Sequence, residues 1–257
     1  MFIQQVSIDI QAATDPGLVF EELGGLMGLY RQSGQKQGKL ESQYLADNRV
    51  LALPYTLEED SLAACYNNEY VNRSLERLAA LAGQPVQIQC VGSTGSEPLS
   101  GVCHCARSPF YLLYTDFVTL HSPVLCGGCN GSIPLYRLQH DGESSFSRLL
   151  SWETNYRACD SLQINCTVGE QWATRQLSDV RSALSKEGRA LAAELEALTG
   201  VPVYYYLFND RAISVARDQR RPCPACGQPW LRTESLHGRY YFQCVPDRLI
   251  SALSTNN

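Results

Sequence analysis

The chain has 257 residues, 21 Lys and Arg against 26 Asp and Glu for a formal net charge of -5, and 11 cysteines. That length buries one large core or two modest ones, and 44% hydrophobic with only 18% charged residues excludes a compositionally disordered chain. The first basic residue is Arg31 and no apolar run approaches the roughly 18 residues of a membrane helix, so neither a charged leader nor a membrane span is expected. The expected location is cytoplasmic, where paired thiols serve as metal ligands rather than disulfides.

Residues 1–10 alternate apolar and polar, with Phe2, Val6, Ile8 and Ile10 suited to a half-buried strand. Asp15 and Pro16 offer an N-cap and a first-turn proline, and Leu18, Glu22, Leu26 and Leu29 carry a helical pattern to Ser33 and Gly34. A loop is expected to about Ser42 and a second strand from Asn48 to Tyr55. From Asp60 the apolar positions through Leu81 predict a long helix that Gly83 ends.

An internal echo aligns two helix-to-strand segments 117 positions apart: RLAALAGQPVQIQCV from Arg77 and ELEALTGVPVYYYLF from Glu194. Gly83 and Gly200 take the left-handed cap, and Pro85 and Pro202 lead each chain into an extended strand. Helix-Gly-x-Pro-strand is also a common joint between a helix and a strand, and the echo alone does not separate the two readings.

After the first copy come Cys103 and Cys105, a gap of 20 residues, then Cys126 and Cys129; after the second come Cys223 and Cys226, a gap of 17, then Cys244 and Asp247. Both have the plan of a zinc ribbon, in which two tight turns present soft donors and a hairpin folds them around a tetrahedral ion. FYLLYTDF from Phe110 and RYYFQ from Arg239 supply strand-forming residues for the hairpins. The first group is a four-cysteine structural site, although Cys-x-Cys is tighter than the usual two-residue spacer. The second has three thiols and needs another donor: Asp247 stands where a fourth cysteine would, His237 competes for the role, and a site without metal is the remaining alternative. Two zinc ions are thus the expected cofactors. Cys65 and Cys159 in helical patterns and Cys90 in a strand pattern are expected to be buried, Cys166 is undecided, and His121 and His140 are expected at the surface.

The stretches FYLLYTDF, SPVLCGGC with IPLYRL, WETNYRACDSLQINCTVGE, RQLSDVRSALSKEGR, TGVPVYYYLF, and CPACG with LHGRYYFQC resemble a bacterial family described as Zn-ribbon-containing proteins with a suggested nucleic-acid-binding role. The resemblance runs from about Cys103 to Leu253. It implies a zinc protein whose C-terminal ribbon ends in Cys-x-x-Cys, so the counterpart of the last ligand here is Asp247.

Between Arg211 and Arg248 seven arginines face three acids and no lysine. Arg220, Arg221, Arg232 and Arg239 are the candidate phosphate contacts, and Tyr241 is a candidate stacking partner for single-stranded nucleic acid. A protein-interaction or assembly module with structural zinc is the alternative. No catalytic residue is assigned: Pro222-Cys223-x-x-Cys226 is half of a zinc deaminase signature, but the chain has no His-x-Glu or Cys-x-Glu to complete it. Nor does it hold a phosphate loop, a nucleophile elbow or His-Glu-x-x-His. The predicted fold is α+β: an N-terminal αβ domain with the four-cysteine site (1–145), a helical stretch and strand (146–210), and a C-terminal zinc ribbon (211–257).

Overall fold

The alternation at the N-terminus folds as strand β1 (Phe2–Asp9), with Val6 and Ile8 buried. The computed structural model describes residues 1–11, 14–38, 43–94, 101–138, 145–210 and 213–254. Contacts divide the chain into a first unit of Met1–Val102, Leu120–Ser122 and Ser132–Ser147 and a second of Cys103–Thr119, Pro123–Gly131 and Arg148–Asn257. That partition differs from the sequence division at 145 and 210, because the first cysteine group falls in the second unit. His140 and Arg211 lie outside the described residues.

In the first unit Asp15 caps α1 (Pro16–Gln32), its carboxylate accepting the Gly17 N–H at 2.8 Å. The second strand is a hairpin of β2 (Gln43–Ala46) and β3 (Arg49–Ala52). Asp47 and Asn48, with φ of 51° and 58°, supply the left-handed turn that keeps the strands twisted together. A short β4 (Tyr55–Thr56) follows. The helix predicted from Asp60 begins later, as α2 (Glu69–Ala82), because Asn68 Oδ1 accepts the Val71 N–H at 3.0 Å and fixes the start there. The preceding residues form turns, held by the Gln35 amide bonded to Ser61 O and Asn67 Oδ1. With β5 (Gln87–Ser93) the strand order is β2-β3-β1-β5, all antiparallel, with β4 also on β1. This is the split βαββαβ arrangement of ferredoxin-like sheets. Val6, Ile8, Leu23, Met27, Val50 and Leu78 form its core.

The second unit starts with β6 (Tyr111–Leu113) and β7 (Val124–Cys126), so only three residues of FYLLYTDF are strand. The helical stretch divides into α3 (Ser147–Asn165), α4 (Glu170–Ser178) and α5 (Ala183–Thr199), broken where Cys166 and Gly169 turn left-handed and where Ser182 caps α5. Next come β8 (Val203–Tyr206), a one-turn α6 (Val215–Asp218), β9 (Leu231–Leu236), β10 (Tyr240–Cys244) and β11 (Leu249–Ala252). They build one six-stranded sheet in the order β7-β6-β8-β11-β10-β9. β8 pairs parallel with both β6 and β11, and the outer pairs are antiparallel.

The echoed joint is the same in both copies, Gly83 and Gly200 each capping at φ 67°. Its strands differ: β8 is fully buried, whereas β5 is an exposed edge. The other cysteine and histidine expectations divide similarly. Cys159 is buried on α3, but Cys65 is exposed in a 3-10 turn, Cys90 is half-exposed on the β5 edge and Cys166 is exposed. His121 is buried, not superficial, its Nδ1–H donating to Ser122 O at 2.6 Å.

α5 packs against β8 through Gly188, where an added Cβ would meet the Tyr205 ring at 2.3 Å and Trp152 Nε1 at 2.7 Å. Gly188→Ala removes a flexible helix residue, worth up to about 1 kcal/mol, but overpacks a seam of rings that have nowhere to move. The expected result is a net loss of about 1–3 kcal/mol, read as a lower urea midpoint at unchanged slope. An unchanged or raised midpoint would show that the seam is loose.

Candidate metal centres

The first cluster is built by the antiparallel pair β6–β7, whose register sets Tyr111 opposite Cys126. β7 ends at Cys126, and the chain turns through Gly127 and Gly128 to Cys129, closed by Asn130 N–H to Cys126 O at 2.8 Å. The turn needs glycine at 127, because a Cβ there would lie 2.3 Å from the Phe110 ring. Backbone N–H groups then point at sulfur: Gly128 at Cys126 Sγ, Gly131 at Cys129 Sγ and Cys105 at Cys103 Sγ, each at 3.4 Å. Ser108 Oγ adds a bond to Cys126 Sγ at 3.1 Å.

These are donors arranged for thiolates. Burial pushes the Cys103 thiol up to about 12. Cys126 is also buried, but the bonds from Ser108 and the backbone outweigh burial and bring it down to about 7. Cys103 and Cys126 are inside and Cys105 and Cys129 outside, and all four sulfurs lie within 4.8 Å of one another. Tetrahedral zinc with bonds of about 2.3 Å needs sulfurs about 3.8 Å apart. The cluster can hold a metal ion.

The second cluster joins the turn after Pro222 to the end of β10. Cys223 N–H donates to Gln228 O at 2.9 Å, Gly227 N–H to Cys223 O at 2.8 Å, and Gly227 takes φ of 75°. Cys223, Cys226, Cys244 and one Asp247 oxygen lie within 4.8 Å of one another. The Cys226 and Cys244 sulfurs are 3.7 Å apart, and the Cys244 and Cys223 thiols donate to Asp247 Oδ2 at 3.1 and 3.5 Å. Hydrogen bonds from Cys226 and then Cys244 hold the Asp247 carboxyl below its ordinary value.

His237 stands elsewhere. It turns the β9–β10 hairpin with φ of 55°, and its Nε2–H donates to Gly127 O at 2.9 Å, so it buttresses the first cluster's turn. Sequence spacing cannot reveal that contact, which crosses 110 positions.

The four candidate arginines differ in exposure: Arg221 is buried, Arg232 is half-buried, and Arg220 and Arg239 are exposed. Arg221 is 8% exposed; its guanidinium lies 3.9 Å from the Phe242 ring centre and 4.6 Å from that of Trp230, pairs with Asp218 and donates to Ser251 Oγ. As a phosphate contact it is corrected: it is a core cross-link. Arg239 keeps solvent exposure, but its guanidinium lies over the Tyr114 ring and donates to the Tyr114 hydroxyl at 2.7 Å. Arg232 bonds to Gln243 Oε1 and to Glu234 O, Tyr241 is half-buried, and Arg220 is exposed.

Three family models match the chain, each described as a domain of unknown function: DUF8589 over residues 1–92, DUF2310 over 105–208 and DUF8594 over 213–257. An "Uncharacterized protein" of Haemophilus influenzae is 33% identical over 242 residues, covering 91% of this chain and 90% of that protein. A second protein of the same description and organism is 39% identical over 145 residues, 56% of this chain and 71% of its own length.

Gly127→Ala tests the first turn. Pushing the Phe110 ring aside should shift the Gly128 N–H off Cys126 Sγ and cost about 1–3 kcal/mol of local packing. A chelator should then strip metal from the variant faster than from the wild type, followed with a chromogenic zinc indicator. Equal stripping rates would show that the close approach is not needed.

Proposed function

The chain belongs to the family of these two Haemophilus influenzae proteins, and within it we propose a zinc-binding protein with two structural sites. Cys103, Cys105, Cys126 and Cys129 hold one ion, and Cys223, Cys226, Cys244 and Asp247 hold the other. The observation that carries this reading is the gathering of each set of four ligand atoms to within 4.8 Å, in the first set by turns whose N–H groups face sulfur. The resemblance to Zn-ribbon proteins supports zinc, as does the thiolate-rich donor set. The separate family match over 213–257 supports treating 211–257 as the ribbon module. All eleven cysteines are free, which suits a reducing, cytoplasmic setting. No helix among the described residues is long and apolar enough to cross a membrane.

Metal analysis of protein purified without added zinc tests the assignment. About two zinc ions per chain are expected, about one in Cys126→Ser, and, because carboxylate is the harder donor, earlier loss of the second ion on titration with a chelator. Zinc content and thermal melting both unchanged in Cys126→Ser would remove the first site.

Two observations favour different partners. Arg220 is exposed beside the ribbon, which supports a contact with single-stranded nucleic acid through that module. The α3–α4 turn exposes Ile164, Val168 and Trp172 at 48%, 69% and 55%, which supports a protein-interaction module. Fluorescence anisotropy with labelled single-stranded RNA and DNA decides between them. Binding that weakens steeply with salt and is lost in Arg220→Glu supports the first; no binding at low salt leaves the interaction module.

A further inference from the structure

Asp247 faces two ways. One side of its carboxylate meets the Cys244 and Cys223 sulfurs at 3.1 and 3.5 Å. The residue also lines a cavity of about 730 Å³ between α5 and the Val245–Arg248 turn, together with Arg189, Ala192, Val203 and Val245. No cysteine of the cluster lines that cavity. Its volume is that of a small-molecule site, and its walls set alanine and valine side chains beside four charged groups, Arg189, Glu196, Asp247 and Arg248.

The charged groups are unequally engaged. Arg248 is committed to Glu196 by a two-pronged pair at 2.9 and 3.0 Å. Arg189 is half-buried and makes no hydrogen bond or ion pair among the described residues. It lines the same cavity as Asp247. A cation in that position can neutralise a carboxylate released from the cluster, or an acidic group brought in by a ligand.

We propose that the second metal site is exchangeable: a small thiol bearing a carboxylate enters this cavity and replaces Asp247 as the fourth donor. This rests on the reading of Cys223, Cys226, Cys244 and Asp247 as a metal site. In such an exchange, the bond that an Asp247 oxygen would make to an ion held by Cys223, Cys226 and Cys244 would be given up, and the ligand's sulfur would take its place. The thiol proton goes to solvent, no electrons are transferred, and the ligand's carboxylate pairs with Arg189. Three thiolates and one carboxylate become four thiolates, the set a soft site prefers. The first cluster has four thiolates and no weak donor to give up, so it does not exchange.

The test uses the full chain loaded with Co²⁺, whose thiolate charge-transfer absorption grows with each sulfur bound. Titration with N-acetylcysteine should raise that absorption saturably, with cobalt retained through gel filtration. N-acetylcysteine amide, which lacks the carboxylate, and the Arg189→Gln variant should each weaken the half-saturation point about tenfold. Asp247→Cys should bind cobalt with the higher absorption already present and give no response. Cobalt bound at both sites with no thiol response overturns the exchange and leaves the metal reading intact. Cobalt stripped by the thiol, or equal titrations for the acid and the amide, also overturns it. Failure of wild type and Asp247→Cys alike to take up a second cobalt overturns both readings.

Discussion

Strand β8 is the constraint on which the second unit depends. Its residues Val203 to Tyr206 are all buried, and it is hydrogen-bonded in parallel on both sides, to β6 with Tyr111 opposite Val203 and to β11 with Leu249 opposite Tyr205. A parallel strand in mid-sheet must have both faces covered. On one face Tyr205 meets Trp152 of α3 and the Gly188 gap of α5; on the other Tyr204 and Tyr206 pack with Tyr114, Leu125 and Tyr240. A slip of one residue would exchange these faces, so the rings fix the register. Both clusters hang from that register, one through β6 and β7 and the other through β11 and β10.

The arginines show how a surface-looking composition is absorbed by a fold. A planar guanidinium keeps its charge and stacks on aromatic faces at lower cost than an ammonium. Arg221 therefore sits against Trp230 and Phe242, and Arg239 on Tyr114 with Tyr206 and Tyr240 nearby. Arg157 ties α3 to the carbonyls of Phe117 and Thr119, and Arg248 ties the second cluster's turn to Glu196 of α5. These contacts cross-link a small tyrosine-rich sheet and the elements packed on it. The same residue types in the same local density serve a nucleic-acid surface, and only their partners distinguish the two uses.

The two clusters differ in how their charge is managed. The first is surrounded by N–H and O–H donors that stabilise thiolates directly, with His237 securing the turn carbonyl from outside. The second has fewer such donors and a carboxylate in place of the fourth sulfur, with Arg189 lining the same cavity as that carboxylate. Outer partners of this kind set how tightly a ligand is held. The difference between a closed site and an open one thus lies in the residues behind the ligands as much as in the ligands themselves.

The α+β class, the strand-helix opening, the helix-glycine-strand joints and the grouping of Cys103, Cys105, Cys126 and Cys129 and of Cys223, Cys226 and Cys244 were legible in sequence because each depends on local chemistry. A cap, a left-handed glycine or a two-residue knuckle is specified by neighbours a few positions away. The start of α2 at Asn68 and the Asp47-Asn48 hairpin also had local signals, a cap residue and a turn pair, which the longer apolar pattern masked. Other features had no local signal. The echo predicts like strands, yet β8 is central and β5 an edge, because pairing partners are chosen by the whole sheet. Burial of Arg221, the contact of His237 with Gly127 and the placing of both clusters on one sheet join residues tens of positions apart. Local sequence sets the conformations each segment can adopt; which surfaces then meet is decided by burial and packing over the complete tertiary structure.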